Sequence, residues 1–115
     1  MALTNDIKTL LSGVSNVYIG SMPITPDNSV CIYPSGGYPR DLTGTFVEEP
    51  TIQIKVRNTV YATGETLCNT IKDALHAKSS AKLLMIEQQG DTLNLGRDES
   101  NRSEWTLNFR CYYRR

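Results

Sequence analysis

Pro50-Thr51-Ile52-Gln53-Ile54-Lys55-Val56-Arg57-Asn58, running directly into residues 60–78, is the stretch that decides the fold. Ile52, Ile54 and Val56 alternate with Gln53, Lys55 and Arg57. A period of two puts the β-branched residues on one face of a strand and the long polar ones on the other. The period then changes. Leu67, Cys68, Ile71, Ala74 and Leu75 recur at helical spacing, with Lys72, Asp73 and Lys78 on the opposite side. A half-polar strand feeding an amphipathic helix is a scaffold on which other apolar pieces can pack, and it carries no chemistry of its own.

Outward from this centre, Leu3, Ile7, Leu10 and Leu11 mark a short amphipathic helix over about 3–12, with Thr4 or Asn5 as its N-cap and Gly13 as a stop. Residues 17–20 read as a short strand, and the Pro23 and Pro26 region as a turn. Residues 29–33 read as a strand with Val30 and Ile32 on one face and Cys31 and Tyr33 on the other, hence interior to a sheet. Leu83-Leu84-Met85-Ile86 looks buried on both faces. Gly90-Asp91 fits a two-residue hairpin turn that sets Ile86 against Leu95. Residues 96–103 read as an exposed loop. From 104 to 113, Trp105, Leu107, Phe109, Cys111 and Tyr113 alternate with polar neighbours in the clearest strand of the chain. The fold expected is α+β: one domain over 1–115, with a mixed, mainly antiparallel sheet of about five to six strands flanked by two helices, at about 3–12 and 60–78.

Size and charge agree. A chain of 115 residues makes one domain and buries about 65% of its unfolded surface, enough for a core without staples. Twelve basic and twelve acidic residues cancel, which argues against non-specific nucleic-acid binding and favours association. The N-terminus has neither the basic start nor the apolar run of a signal peptide. No window approaches a membrane span.

Chemistry is sparse. Cys31, Cys68 and Cys111 are dispersed and form no Cys-x-x-Cys; each falls inside an expected element, where a free thiol behaves as a small hydrophobe in a reducing compartment. The single His, His76, lies at a helix end, where positive charge suits the dipole. No triad, metal set or cofactor motif can be assembled from these residues. Gly36-Gly37 lacks phosphate-loop spacing and reads as turn geometry. Glu48-Glu49 and Asp98-Glu99 are adjacent loop carboxylates that water solvates, without the burial that acid catalysis needs. Arg110, Tyr112, Tyr113, Arg114 and Arg115 resemble a nucleic-acid reader only superficially, and a strand end explains them better. An enzyme is not expected.

The irregular stretch 34–49 is long for a compact domain, and such loops are usually functional or disordered. Tyr38 and Phe46 suit interface anchors, Arg40 and Asp41 suit pairing with a neighbour, and Glu48 and Glu49 suit solvent or an acidic opening. These six residues are the candidate interface.

Several phrases, in order, resemble the minor capsid or tail-terminator family of long-tailed bacteriophages. They are Val17-Tyr18-Ile19-Gly20 followed by Met22-Pro23, Pro26-Asp27-Asn28-Ser29-Val30-Cys31-Ile32-Tyr33, Ser35-Gly36-Gly37-Tyr38-Pro39, the central strand 50–57 and Ile71-Lys72-Asp73-Ala74-Leu75. The likeness spans about residues 5–113 and rests on pattern and order. It implies a virion structural protein of the tail and neck region, assembled in the bacterial host cytoplasm. Such proteins form a ring, commonly a hexamer, that stops tube polymerisation and offers a surface to neck or head-completion proteins. The implied partners are copies of itself, the major tail tube protein and a neck protein. Genome DNA passes through the lumen without specific binding, and no cofactor or membrane is involved. The alternative is another neck component, such as a head-completion or stopper protein.

Whatever the function, Ile52, Ile54, Val56, Ile71, Leu75, Trp105, Leu107 and Phe109 should share one core. Phe109→Ala should lower unfolding free energy by about 3–5 kcal/mol in a denaturant melt. A loss below about 1 kcal/mol would place Phe109 in solvent and reverse the register.

Overall fold

A computed structural model describes residues 2–38, 47–80 and 83–114. The elements run α1 (Ala2–Leu10), β1 (Val17–Ile19), β2 (Ser29–Gly37), β3 (Val47–Glu48), β4 (Pro50–Asn58), α2 (Tyr61–Leu75), β5 (Leu83–Arg97) and β6 (Ser103–Arg114). β1 pairs parallel with β2, and every other pairing is antiparallel. β2 pairs with β4 and β4 with β6. β6 has a partner on each side. On one side lies β4, from Thr51 opposite Arg110 to Asn58 opposite Ser103. β3 continues that same register, with Glu48 opposite Tyr113. β3 and β4 are thus one line of chain interrupted at Glu49. On the other side β5 follows β6 from Leu83 opposite Tyr113 to Arg97 opposite Ser103. β1 and β5 are the two edges of the sheet among the described residues.

Both helices cover one face. The alternation around Ile52, Ile54 and Val56 turns these residues into the core together with Val30 and Ile32 of β2 and Leu107 and Phe109 of β6. α1 contributes Leu3 and Ile7, the turn after it adds Leu11, and α2 contributes Cys68, Ile71 and Leu75. Each such side chain gains about 1.5–3 kcal/mol from burial, and neither short helix would hold without it. All the residues expected in the shared core are there. Cys31, Cys68 and Cys111 are free thiols and buried.

Several boundaries differ from the sequence reading. Thr4 and Asn5 lie within α1 rather than capping it; Thr4 is buried and the Asn5 carbonyl accepts the Thr9 hydroxyl. α2 stops at Leu75, with His76 extended, short of the expected 78. β2 runs on through Gly37, so the irregular stretch 34–49 is cut back at both ends.

The largest correction concerns β5. Gly90-Asp91 is not a hairpin turn. β5 passes through it, and its register on β6 shifts between Gln89, opposite Asn108, and Leu93, opposite Thr106. A glycine at φ 71° serves a bulge as well as a turn, and β6 supplies a partner along the whole length. Ile86 therefore faces Cys111, not Leu95. Only Leu83 and Ile86 of the apolar run are buried, while Leu84 and Met85 are exposed, because the second face has no cover there. The reversal comes at 98–102, where Asp98 accepts the backbone N–H groups of Ser100 and Arg102. Gly96 and Arg97 belong to β5, and Ser103 is buried on β6, not in a loop.

α2 lies close to the sheet because of Gly64. A Cβ there would sit 2.3 Å from the Trp105 ring, which also packs at 5.3 Å on Tyr61. Gly64→Ala should gain helix propensity yet destabilise the fold by about 1–3 kcal/mol through overpacking. A thermal melt with an unchanged or raised midpoint would show that Trp105 moves freely away.

Candidate functional site

The uncovered face of the sheet carries the polar half of each alternation. β6 presents Arg110 and Tyr112 there, because Phe109 and Cys111 point into the core. At the end of the sheet where β2 and β3 approach, Gly37 passes against the chain before β4. A Cβ on it would lie 2.7 Å from the Glu49 carbonyl, so only glycine fits without a shift. Tyr38 then donates its backbone N–H to that same carbonyl at 3.0 Å. This close approach places the Tyr38 ring under Arg110, whose guanidinium carbon stands 3.8 Å from the ring centroid. Tyr112 flanks the guanidinium at 5.3 Å, and the Glu49 carboxylate pairs with it. The hydrogen bond to Glu49 raises the Arg110 pKa above its ordinary value, so the cation is fixed. Gln89 of β5 donates to the Tyr38 hydroxyl at 3.1 Å. Beside this stack is a shallow depression of about 290 Å³, lined by Gly36, Gly37, Tyr38, Glu48, Glu49 and Pro50.

Of the six candidate interface residues, Tyr38, Glu48 and Glu49 come together at this depression. Arg40, Asp41 and Phe46 lie outside the described residues. Glu49 is not left to solvent as expected; Arg110 takes it because the β4–β6 register brings that cation alongside. Arg110, Tyr112 and Gln89 were missed as site residues. Their positions in the sequence are far from the loop, and only the register joins them to it.

The other end of the sheet carries a second built feature. Arg57 was expected on the polar face of the strand, and there it is only 4% exposed. Residues 23–27 fold over it. Its Nε donates to the Asp27 carbonyl at 2.9 Å, and one terminal nitrogen to the carbonyls of Pro23 at 2.6 Å and Pro26 at 2.8 Å. Arg102 adds a bond to the Ile24 carbonyl at 2.8 Å while its Nε donates to Asp98. The clamped turn holds Ile24 outward, 81% exposed.

Among the described residues the thiols, the histidine and Asp98 serve packing and turn geometry. Burial pushes the Cys68 thiol up to about 11 and Cys111 to about 12, and it also raises Cys31, so the thiolates are disfavoured. His76 Nδ1 accepts the Gln88 N–H at 3.2 Å and thereby ties the end of α2 to β5. Asp98 is held below the usual carboxylate range, first by the Arg102 N–H, in a purely structural role. Among the described residues no group of His, Cys, Asp and Glu is placed to hold a metal, and no helix is long and apolar enough to cross a membrane. The arrangement fits contact with other proteins.

A family model described as bacteriophage tail terminator protein matches residues 3–115. The chain belongs to that family. The tail terminator is a structural component of the virion tail, and its family is structural rather than enzymatic. The fold is shared with a chain from the virion of a native gene transfer agent particle, at a TM-score of 0.63 and 16% identity, over 95% of this chain and 84% of that one. A second solved chain is similar at a TM-score of 0.61 and 12% identity, over 99% of this chain and 92% of that one. No curated protein matches.

Replacing Arg110 removes the stack without touching the core of the tail terminator. Arg110→Met should leave the thermal midpoint close to wild type while speeding amide exchange at Tyr38, whose N–H bonds Glu49. Unchanged exchange at Tyr38 would show that Gly37 packing alone holds the segment.

Proposed function

We propose that this tail terminator assembles as a closed ring, a hexamer, on the head-proximal end of the finished tail tube. There it stops tube polymerisation and offers the surface on which the neck or head-completion protein docks. The observation that carries this reading is the match of nearly the whole chain to the tail terminator family. The shape supports it. The two sheet edges, β1 and β5, lie on opposite flanks, so one repeated contact can give each copy two neighbours. A repeated head-to-tail contact of that kind closes into a ring when its rotation closes. A net charge of zero leaves no strong repulsion between copies.

Residues 34–49 are the proposed docking segment for an adjoining protein. Tyr38 and Glu49 are held at its root by Arg110, so part of the ordering is done before a partner arrives. Arg40, Asp41, Phe46 and Glu48 complete the proposed contact, with Tyr38 and Phe46 as aromatic anchors. DNA passes through the lumen without specific contacts, consistent with a chain that carries no basic excess.

The discriminating experiment is a phage lacking the gene. Electron microscopy of lysates should show tails longer than wild type and unjoined to heads, with normal length restored by expression of the protein in trans. Tails of normal length that merely fail to join heads would replace tail termination by the role of a head-completion or stopper protein.

A further inference from the structure

We propose that the ring contact is made by the outer margin of β5 on one copy seated in the groove between α1 and β1 of the next. This rests on the ring reading above and assigns its two surfaces. Leu93 is 57% exposed, Leu95, in the bulge between Asn94 and Gly96, is 48% exposed, and Met85 nearer the start of β5 is 49% exposed. Alternation puts Leu93 and Met85 on the uncovered face, opposite Thr106 and Tyr112 of β6. Nothing described covers these side chains within the monomer. β5 is a 15-residue edge strand without proline or lysine, and its guards are bulges. Its register shifts at Leu83/Met85, Gln89/Leu93 and Asn94/Gly96 kink the backbone. Such kinks disfavour open-ended strand addition, so the edge is better suited to offer side chains than a ladder.

The opposite flank carries a matching recess. The groove between α1 and β1 measures about 540 Å³ and is floored by Leu11, Val14 and Val17, with Lys8 and Thr9 at its helix side. Protruding leucines on one flank and an apolar recess on the other make a head-to-tail contact, the kind that closes rings. Charge agrees: Lys8 is exposed beside the recess, and the Asp91 side chain next to the leucines is 84% exposed although Lys72 stands 3.2 Å away. The occupant is therefore a second copy, since both halves of the contact are on this chain.

The test is cross-linking within purified tails, which does not require the free chain to form rings. Leu95→Cys combined with Thr9→Cys places one thiol on each flank, and the three native thiols are buried. A short bismaleimide should give a ladder of multiples of the 12.9 kDa chain, and neither single variant should give one. A lysine-reactive cross-linker on wild-type tails is the control for adjacency. A lysine ladder without a cysteine ladder overturns the β5 contact and leaves the ring. Absence of both overturns the ring itself. As a second arm, Leu93→Glu with Leu95→Glu should keep the wild-type melt, since both side chains are exposed, and yet abolish tail incorporation. Normal incorporation of that folded variant would also overturn the proposed surface.

Discussion

β6 is hydrogen-bonded along both its sides, and the rest of the molecule depends on that. β3 and β4 share one side in one continuous register, and β5 occupies the other. A slip of one residue in this central strand would move Phe109, Leu107 and Trp105 from the core to water and carry Arg110 into the core. The cost of burying that cation unpaired adds to the lost burial, so the register is specified from both faces at once. The same pairing makes the topology non-local: β4 and β6 are separated in the chain by α2 and all of β5. Folding must close that long interval before the sheet is rewarded.

Two arginines make the uncovered face something more than a solvated surface, and they act through different physics. Arg57 is buried among the backbone carbonyls of residues 23–27, whose dipoles compensate its charge. It also satisfies carbonyls in a turn that has no ladder to join. Arg110 is only partly buried and sits between aromatic rings, with Glu49 as counter-charge. One arginine shapes a turn at one end of the sheet, and the other fixes the root of the long connection at the opposite end. Each arginine spends its polar side chain on holding a segment of backbone in place.

Strand β4, helix α2 and strand β6 could be read from periodicity because each buries one face and leaves the other wet, so the pattern is written into alternate residues. β5 could not. Its distal half has little buried, and Gly90-Asp91 has the chemistry of a turn and of a bulge alike; only the presence of β6 beside it decides between them. The candidate site was half legible. Tyr38 and Glu49 stood out as residues of a long connection, but their partner Arg110 is set by a register between distant strands. The burial of Arg57 left no sign either, because backbone carbonyls are the same whatever residues bear them.

The molecule measures 49 × 24 × 23 Å, and β5 with its bulges follows Ser103 to Tyr113 of β6 for about 34 Å at the rise of an antiparallel strand, more than either short dimension, so the strands lie along the long one. Antiparallel ladder bonds are perpendicular to the strands. A pull between the two ends therefore loads the β4–β6 and β5–β6 rows in shear, many bonds together, rather than opening them one at a time. The feature that fixes the register also makes the domain a stiff tie along its axis.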